Sequence, residues 1–319
     1  MNEDMDLTRR DFIYKTTASA LGISMVPVSI LRGAITEEPS QISIFSKYLG
    51  FLDYHQLGEA AATLGFDGID LAVRPGGHVL PEDVKTNLAP AISSLKSSGI
   101  AMPMMVTNIV DADHEHTESM LCTASDLGIN HYRMGYYQYD NSQTIIQNLD
   151  ACRRKLEKLE KLNRRCGIQG CYQNHSGPQG FVGGPVWDLY HLMKDFSPDY
   201  LGVQFDIMHA TVEAGYSWPA GLKLLAPWVN SVALMDFSWI DEPNRQNSQG
   251  VPLGQGNVDF EKLAMEMKQI EFSGPITIKC EHLTQEVMAQ PLSKTDKQSI
   301  LAKLKNDLNY YRNTIQKYG

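Results

Sequence analysis

Neither a Gly-x-Gly-x-x-Gly run nor a P-loop pattern occurs in this chain, which argues against nicotinamide and nucleoside triphosphate chemistry. Basic residues are also in deficit: 28 Lys and Arg stand against 37 Asp and Glu, for a formal charge of -9. A nucleic-acid binder shows a basic patch or stripe, so no nucleic acid is expected as partner. The one short basic cluster, Arg153 to Lys155, sits among acids and reads as a solvated helix face. Cysteines number five, at 122, 152, 166, 171 and 280. That odd count without zinc-type spacing leads us to expect no disulfide framework. No Pro/Ser-rich linker and no short-period repeat interrupts the chain. What is present is ordinary for a soluble globular protein able to bury a full core: 319 residues, 43% hydrophobic and 20% charged.

The first forty residues read differently from the rest. "TRRDFIYKTTASALGISMVPVSIL" pairs Arg9 and Arg10 with Phe12, Ile13 and Lys15, followed by an apolar stretch too short and weak to span a membrane. This resembles a twin-arginine export signal, an address rather than a fold element. The resemblance implies a signal segment over residues 1–38 and a folded part over 39–319. It also implies passage through the twin-arginine export machinery as a folded protein and work in the periplasm, with a membrane anchor if the segment stays uncleaved. No A-x-A cleavage site is evident.

From residue 41 onward short apolar runs alternate with segments of helical spacing. The runs are 42–45, 68–73, 102–107, 131–135, 168–172, 201–205, 229–234 and 276–280, each short enough for a strand buried on both faces. Between them, sets such as Leu57, Ala61 and Leu64, or Phe260, Leu263, Met267 and Ile270, recur at helical period. Eight strand-helix units over one chain predict an α/β fold, a single (β/α)8 TIM barrel, rather than two open sheets.

In such a barrel the C-terminal ends of all strands gather at one face, where active sites are built. The ends here are polar: Asp70 and Arg74, Thr107, Arg133, then Gln173, Asn174 and His175, then Asp206 and His209, Asp236, and finally Glu281 and His282. Any one of these serves equally well as a helix cap. Their recurrence at one face points to a site.

The stretches "FDGIDLAVRPGGHVLPE", "HYRMGYYQYD", "YQNHSG", "LGVQFDIMHATVEAG", "VPLGQGNVDF" and "GPITIKCEH" together resemble the xylose isomerase-like TIM-barrel proteins of the sugar phosphate isomerase/epimerase type. The closest flavour is an exported subgroup carrying "VRPGGHVLPE" and "YQNHSG". The resemblance implies a metal-assisted isomerase or epimerase acting on a sugar or keto-sugar through an enediolate. A divalent ion (Mn, Fe, Co, Zn or Mg) would be held by Gln173, Asp206 and Glu281. Glu281, His209 and His175 would be catalytic, and Arg74, His78, Arg133, Asn174 and Asp236 would bind substrate.

The chain departs from the family pattern at several positions. Gln173 stands where the family has a glutamate base, Ala233 where it has a histidine ligand, and Met235 where it has a lysine. Gln offers an amide oxygen to a hard cation but cannot act as a base. Two-base epimerisation is therefore harder to draw than one-sided isomerisation or elimination. A 3-keto-glycoside lyase or hydratase of the same fold, and a carbohydrate-binding barrel that has lost catalysis, stay open as alternatives. Barrels of this type often pair, so a homodimer is expected. The Gly- and Pro-rich segment 240–257 reads as a lid. Trp187, Trp218 and Trp239 read equally as sugar platforms and as rim packing.

Overall fold

The computed structural model describes residues 40–177, 180–242, 245–288 and 291–319; the expected signal segment, 1–38, lies outside them. In chain order the strands are β1 (Ile42–Phe45), β2 (Gly68–Ala72), β3 (Met104–Val106), β4 (His131–Arg133), β5 (Gln169–Gln173), β6 (Leu201–Asp206), β7 (Val229–Leu234), β8 (Asp236–Glu242), β9 (Arg245–Val251) and β10 (Ile276–Ile278). Parallel pairing of β1 to β7 with β10 closes an eight-stranded barrel. The (β/α)8 expectation is met. β8 and β9 form a separate antiparallel hairpin between the seventh and eighth barrel strands.

Helices form where the local chemistry starts and stops them. Asp53, Thr144 and Ser293 each accept the N3 backbone N–H at the start of helices Tyr54–Leu64, Ile145–Cys166 and Lys294–Tyr318, with the N3 side chain returning the bond. Gly167 ends the second of these at φ 72, a left-handed conformation that glycine adopts without strain. The inner stripes, such as Leu57, Ala61 and Leu64, are buried against the strands. Each buried leucine contributes roughly 2 kcal/mol of transfer free energy.

Strand register decides what fills the barrel. In parallel pairs, residues in register share a face. The ladder through Ser43 and Thr277, Thr277 and Ala233, Ala233 and Asp206, then Gln204 and Gln173, turns a row of mostly polar residues inward. The apolar partners on the other face, Ile44, Ile278 and Phe205 among them, meet the helices and are fully buried. The interior is thus polar, which the apolar reading of the strands did not anticipate.

Within segment 240–257, residues 240–242 and 245–251 belong to the hairpin ladder, which runs from Asp236 opposite Val251 to Glu242 opposite Arg245. Gly250 lets it pack close: a Cβ there would sit 2.9 Å from the His282 nitrogen. The Asp236 carboxylate secures its base, accepting backbone N–H groups from Phe237 (2.8 Å), Val258 (3.1 Å), Gly254 and Gly256 (both 2.9 Å). Both oxygens are taken up, so Asp236 braces the loop in place of the substrate contact expected from sequence. Asp236→Ala leaves four donors to find new partners and is expected to cost about 3 kcal/mol of unfolding free energy, read by urea denaturation.

The cysteine expectation is corrected. Cys122 and Cys166 form a disulfide across 44 positions, joining helix Thr117–Asp126 to the end of helix Ile145–Cys166. These two helices are neighbours only because the barrel places them so, and spacing along the chain carries no trace of that. No helix among the described residues is long and apolar enough to cross a membrane.

Candidate active site

β5 and β6 end side by side, and their last residues lock together. Asn174 donates to the Asp206 carbonyl at 2.9 Å and accepts the Asp206 N–H at 2.7 Å. Its amide is therefore engaged with backbone: Asn174 positions Asp206, where a substrate contact was expected. The Asp206 carboxylate caps helix Ile207–Ala214 through the His209 N–H (3.2 Å) and accepts the Gln173 amide at 2.6 Å. Tyr136 in turn donates to Gln173 Oε1 at 2.6 Å.

Opposite this group stands Lys279, a residue that the strand-end reading passed over. It follows β10 and continues the inward alternation of Thr277. Its Nζ donates to Gln204 Oε1 at 3.1 Å, Gln204 donates to Thr277 Oγ1 at 3.3 Å, and Thr277 donates to Asp70. In register between Asp206 and Thr277 stands Ala233, whose side chain is a single methyl group. Burial pushes Lys279 down to about 7; Asp206 pulls against this and Arg133 adds to it. Burial likewise raises Asp206 to about 6, with Lys279 the largest opposing influence. Asp70, fully buried, is raised by desolvation to about 7 although Thr277 and Lys279 favour its charge. The signal for Lys279 was present in "ITIKCEH": a lysine two residues before Glu281, in phase with Thr277, inside a run otherwise read as buried on both faces.

The two histidines lie together, ring centroids 4.0 Å apart. His175 Nδ1 donates to the Ser176 carbonyl at 2.8 Å, and Ser176 Oγ meets His209 Nδ1 at 2.9 Å. Burial, then the neighbouring His209, lowers His175 to about 4; burial, then Lys279, lowers His209 to about 3. Both rings are neutral at pH 7 and suit hydrogen bonding to hydroxyls better than proton abstraction. Glu281 is also occupied. It accepts Tyr48 Oη at 2.7 Å and Thr284 Oγ1 at 2.8 Å, and lies 3.5 Å from Lys47 Nζ. Burial would raise its carboxyl, but Lys47 and the two hydroxyls outweigh it and hold Glu281 below its usual range.

Arg133 is 3% exposed, bonded to the Met134 carbonyl at 2.7 Å, with its guanidinium 4.9 Å from the Tyr136 ring centre. Arg74 lies 5.1 Å from the Phe45 ring centre, and burial and Arg133 both lower it. His78 stands apart from the cluster, against the Leu49 and Leu52 carbonyls, while its own carbonyl accepts Tyr54 Oη at 2.8 Å. Of the tryptophans, Trp218 is buried and Trp187 projects outward; Trp239 is partly exposed, its ring edge-on to Phe237. A cleft of about 510 Å³ adjoins the site at Tyr136 and is lined further by Asn108, Gln138, Gln143, Lys155 and Phe181.

Residues 58–300, nearly the whole barrel, match the family model described as "Xylose isomerase-like TIM barrel". The chain belongs to the xylose isomerase-like TIM barrel family. Among solved structures this xylose isomerase-like chain is similar to IOLI protein with a binding zinc atom, at 16% identity and TM-score 0.68 over 88% of this chain and 99% of that one. It is similar also to D-psicose 3-epimerase with D-tagatose from Clostridium cellulolyticum H10, at 14% identity and TM-score 0.66 over 86% and 99%. A curated relative, an uncharacterized protein of Methanocaldococcus jannaschii, is 22% identical over 161 residues. The match spans 50% of this chain and about half the length (53%) of that relative.

A divalent ion does not fit the expected donor set of this xylose isomerase-like barrel. The Gln173 amide nitrogen, a donor, faces Asp206, and Glu281 is tied to Lys47, Tyr48 and Thr284. Lys279 already brings positive charge toward Asp206, so a dication beside it would meet repulsion. Among the described residues no three His, Cys, Asp or Glu side chains gather as metal holders.

Proposed function

We propose that this protein moves a proton at a carbon beside a carbonyl group in a sugar or sugar-like polyol, as an isomerase, epimerase or lyase without a resident metal. The observation that carries this reading is the buried Lys279–Asp206 pair at the catalytic end of the barrel, brought to about 7 and about 6 by burial. Near neutrality such a pair holds both a proton donor and a proton acceptor, which is what general acid–base catalysis requires. Arg133 and Arg74 supply positive charge for the oxygen that becomes negative as the C–H bond breaks. Neutral His175 and His209 orient hydroxyls. The adjoining cleft, lined by amide side chains and aromatic rings, suits a polyol.

With both proton carriers in one pair, return of the proton to the neighbouring carbon gives isomerisation, and loss of a leaving group from the next carbon gives elimination. Export to an oxidising compartment belongs to the same proposal. The Arg9–Arg10 segment and the Cys122–Cys166 bond both support it, since disulfides persist outside the reducing cytosol.

The test is deuterium incorporation in heavy water. Wild-type protein stripped with EDTA is incubated with a panel of ketoses and 3-keto-glycosides, and exchange beside the carbonyl is read by NMR. Exchange at an undiminished rate after stripping is the expected result. Exchange lost on stripping and restored by Mn or Zn would overturn the metal-free reading. Binding of a panel sugar without exchange would shift the assignment to the carbohydrate-binding barrel.

A further inference from the structure

We propose that the cleft beside Tyr136 is a second subsite that holds a neutral, non-reacting sugar unit, so that the substrate is a disaccharide or longer glycoside. The inference rests on the reading that the strand-end site acts on a sugar, and it names the class of sugar. Of the groups placed around Asp206, only Tyr136 lines the cleft. Its hydroxyl donates to Gln173 at 2.6 Å, and Gln173 donates to Asp206 at 2.6 Å, so two hydrogen bonds separate the cleft wall from the site. A molecule whose reacting carbon lies at Asp206 fills the cleft only by continuing past Tyr136. The volume, about 510 Å³, falls in the range of sites that enclose small molecules.

The lining selects the occupant. Both charged groups on the wall are met by the protein itself: Lys155 lies 3.6 Å from Asp111, and the Asp140 carboxylate accepts the Ser142 N–H (2.9 Å), the Ser142 hydroxyl (2.6 Å) and the Gln143 amide (2.9 Å). A charged ligand gains little there. Asn108 and Gln138 are exposed and spend no side-chain hydrogen bond among the described residues. Each amide offers two donors and an acceptor, which matches sugar hydroxyls that both donate and accept. The Tyr136 and Phe181 rings, with centroids 4.9 Å apart and planes inclined by 30°, add an apolar surface for the C–H face of a sugar ring. Backbone bonds hold these walls in place: the Val182 N–H donates to the Tyr137 carbonyl at 3.0 Å and the Tyr139 N–H to the Gly180 carbonyl at 2.9 Å. Gly135 lets the neighbouring rim segment close in, since a Cβ there would meet the Asn108 carbonyl oxygen at 2.6 Å. A cleft built in advance loses little on binding to the ordering of its own walls.

Binding tests the subsite apart from the chemistry. Wild-type protein is titrated by NMR with glucose, fructose and galactose, with sucrose, maltose and lactose, and with phenyl glucoside. At least one disaccharide should bind roughly tenfold or more tighter than either of its component sugars, the net worth of two neutral hydrogen bonds. Asn108→Ala with Gln138→Ala should bring that ratio close to one while the circular dichroism stays that of the wild type. Ala151→Leu, which fills the cleft from its helix wall with another strong helix former, should do the same. Disaccharides that bind no tighter than single sugars, or not at all, overturn the subsite, as does a ratio that neither variant moves. Phenyl glucoside binding as tightly as the best disaccharide overturns the sugar assignment in favour of an apolar group. Deuterium exchange into free ketoses without any disaccharide preference overturns the subsite and leaves the proton-transfer reading standing. A disaccharide preference that both variants abolish, with no exchange into any 3-keto-glycoside or ketose, supports the subsite and counts against the proton-transfer reading alone.

Discussion

Lys279→Met is expected to lower turnover by roughly a thousandfold while the far-ultraviolet circular dichroism stays that of the wild type. Methionine keeps the length and removes the amine. Without Lys279, burial acts on Asp206 with its largest opposing influence gone, so Asp206 rises further above about 6 and holds its proton at neutral pH. Donor and acceptor are lost together. In the wild type, kcat/KM should fall with pH through about 7 as Lys279 gives up the proton it donates, and that limb should be missing from any residual activity of the variant.

The linked change in stability has the opposite sign from that of a structural lysine. Lys279 has a folded pKa depressed below its unfolded value near 10.4, so its contribution is fully present above that value and is lost as pH falls through about 7. At pH 6 the wild type therefore carries a buried charge that Lys279→Met does not. The variant should melt at a higher temperature than wild type at pH 6, with the gap narrowing toward pH 10. Functional sites commonly hold such costs, and a lower melting point at pH 6 would mark Lys279 as a packing residue instead.

How much of this was legible beforehand divides along one physical line. The strands could be read because a parallel barrel buries both faces, and runs such as Leu201 to Phe205 stand out against polar helices. Strand ends could be read as candidates because the fold collects them, and Asp206 ends β6 against Gln173 and Asn174. What could not be read was register. Whether Lys279 points inward, whether Ala233 falls in register with Asp206, and whether Asn174 spends its amide on backbone all depend on the alignment of β5, β6, β7 and β10. Asp236 was misassigned for a related reason. A carboxylate at a strand end looks the same in sequence whether it faces a substrate or four backbone N–H groups of its own loop.

Reduction of the Cys122–Cys166 bond, or its removal by Cys122→Ser with Cys166→Ser, is expected to cost about 4 kcal/mol, the chain-entropy value for a closed loop of 44 residues. The free cysteines Cys152, Cys171 and Cys280 are buried, so brief treatment with reductant under native conditions should change only this bond. The site should feel the loss. Cys166 ends its helix, Gly167 turns the chain, and β5 begins at Gln169 and runs to Gln173, which holds Asp206. Loosening the helix end frees the start of the strand that carries part of the site, and local opening there is cheaper than global unfolding. Amide hydrogen exchange should therefore quicken first across 166–173 in the reduced protein, ahead of β1 and β2. An unchanged urea midpoint on reduction would mean that the packing of the two helices alone holds them, and would remove the bond as support for work in an oxidising compartment. A drop near the expected size would make the barrel's stability depend on that compartment.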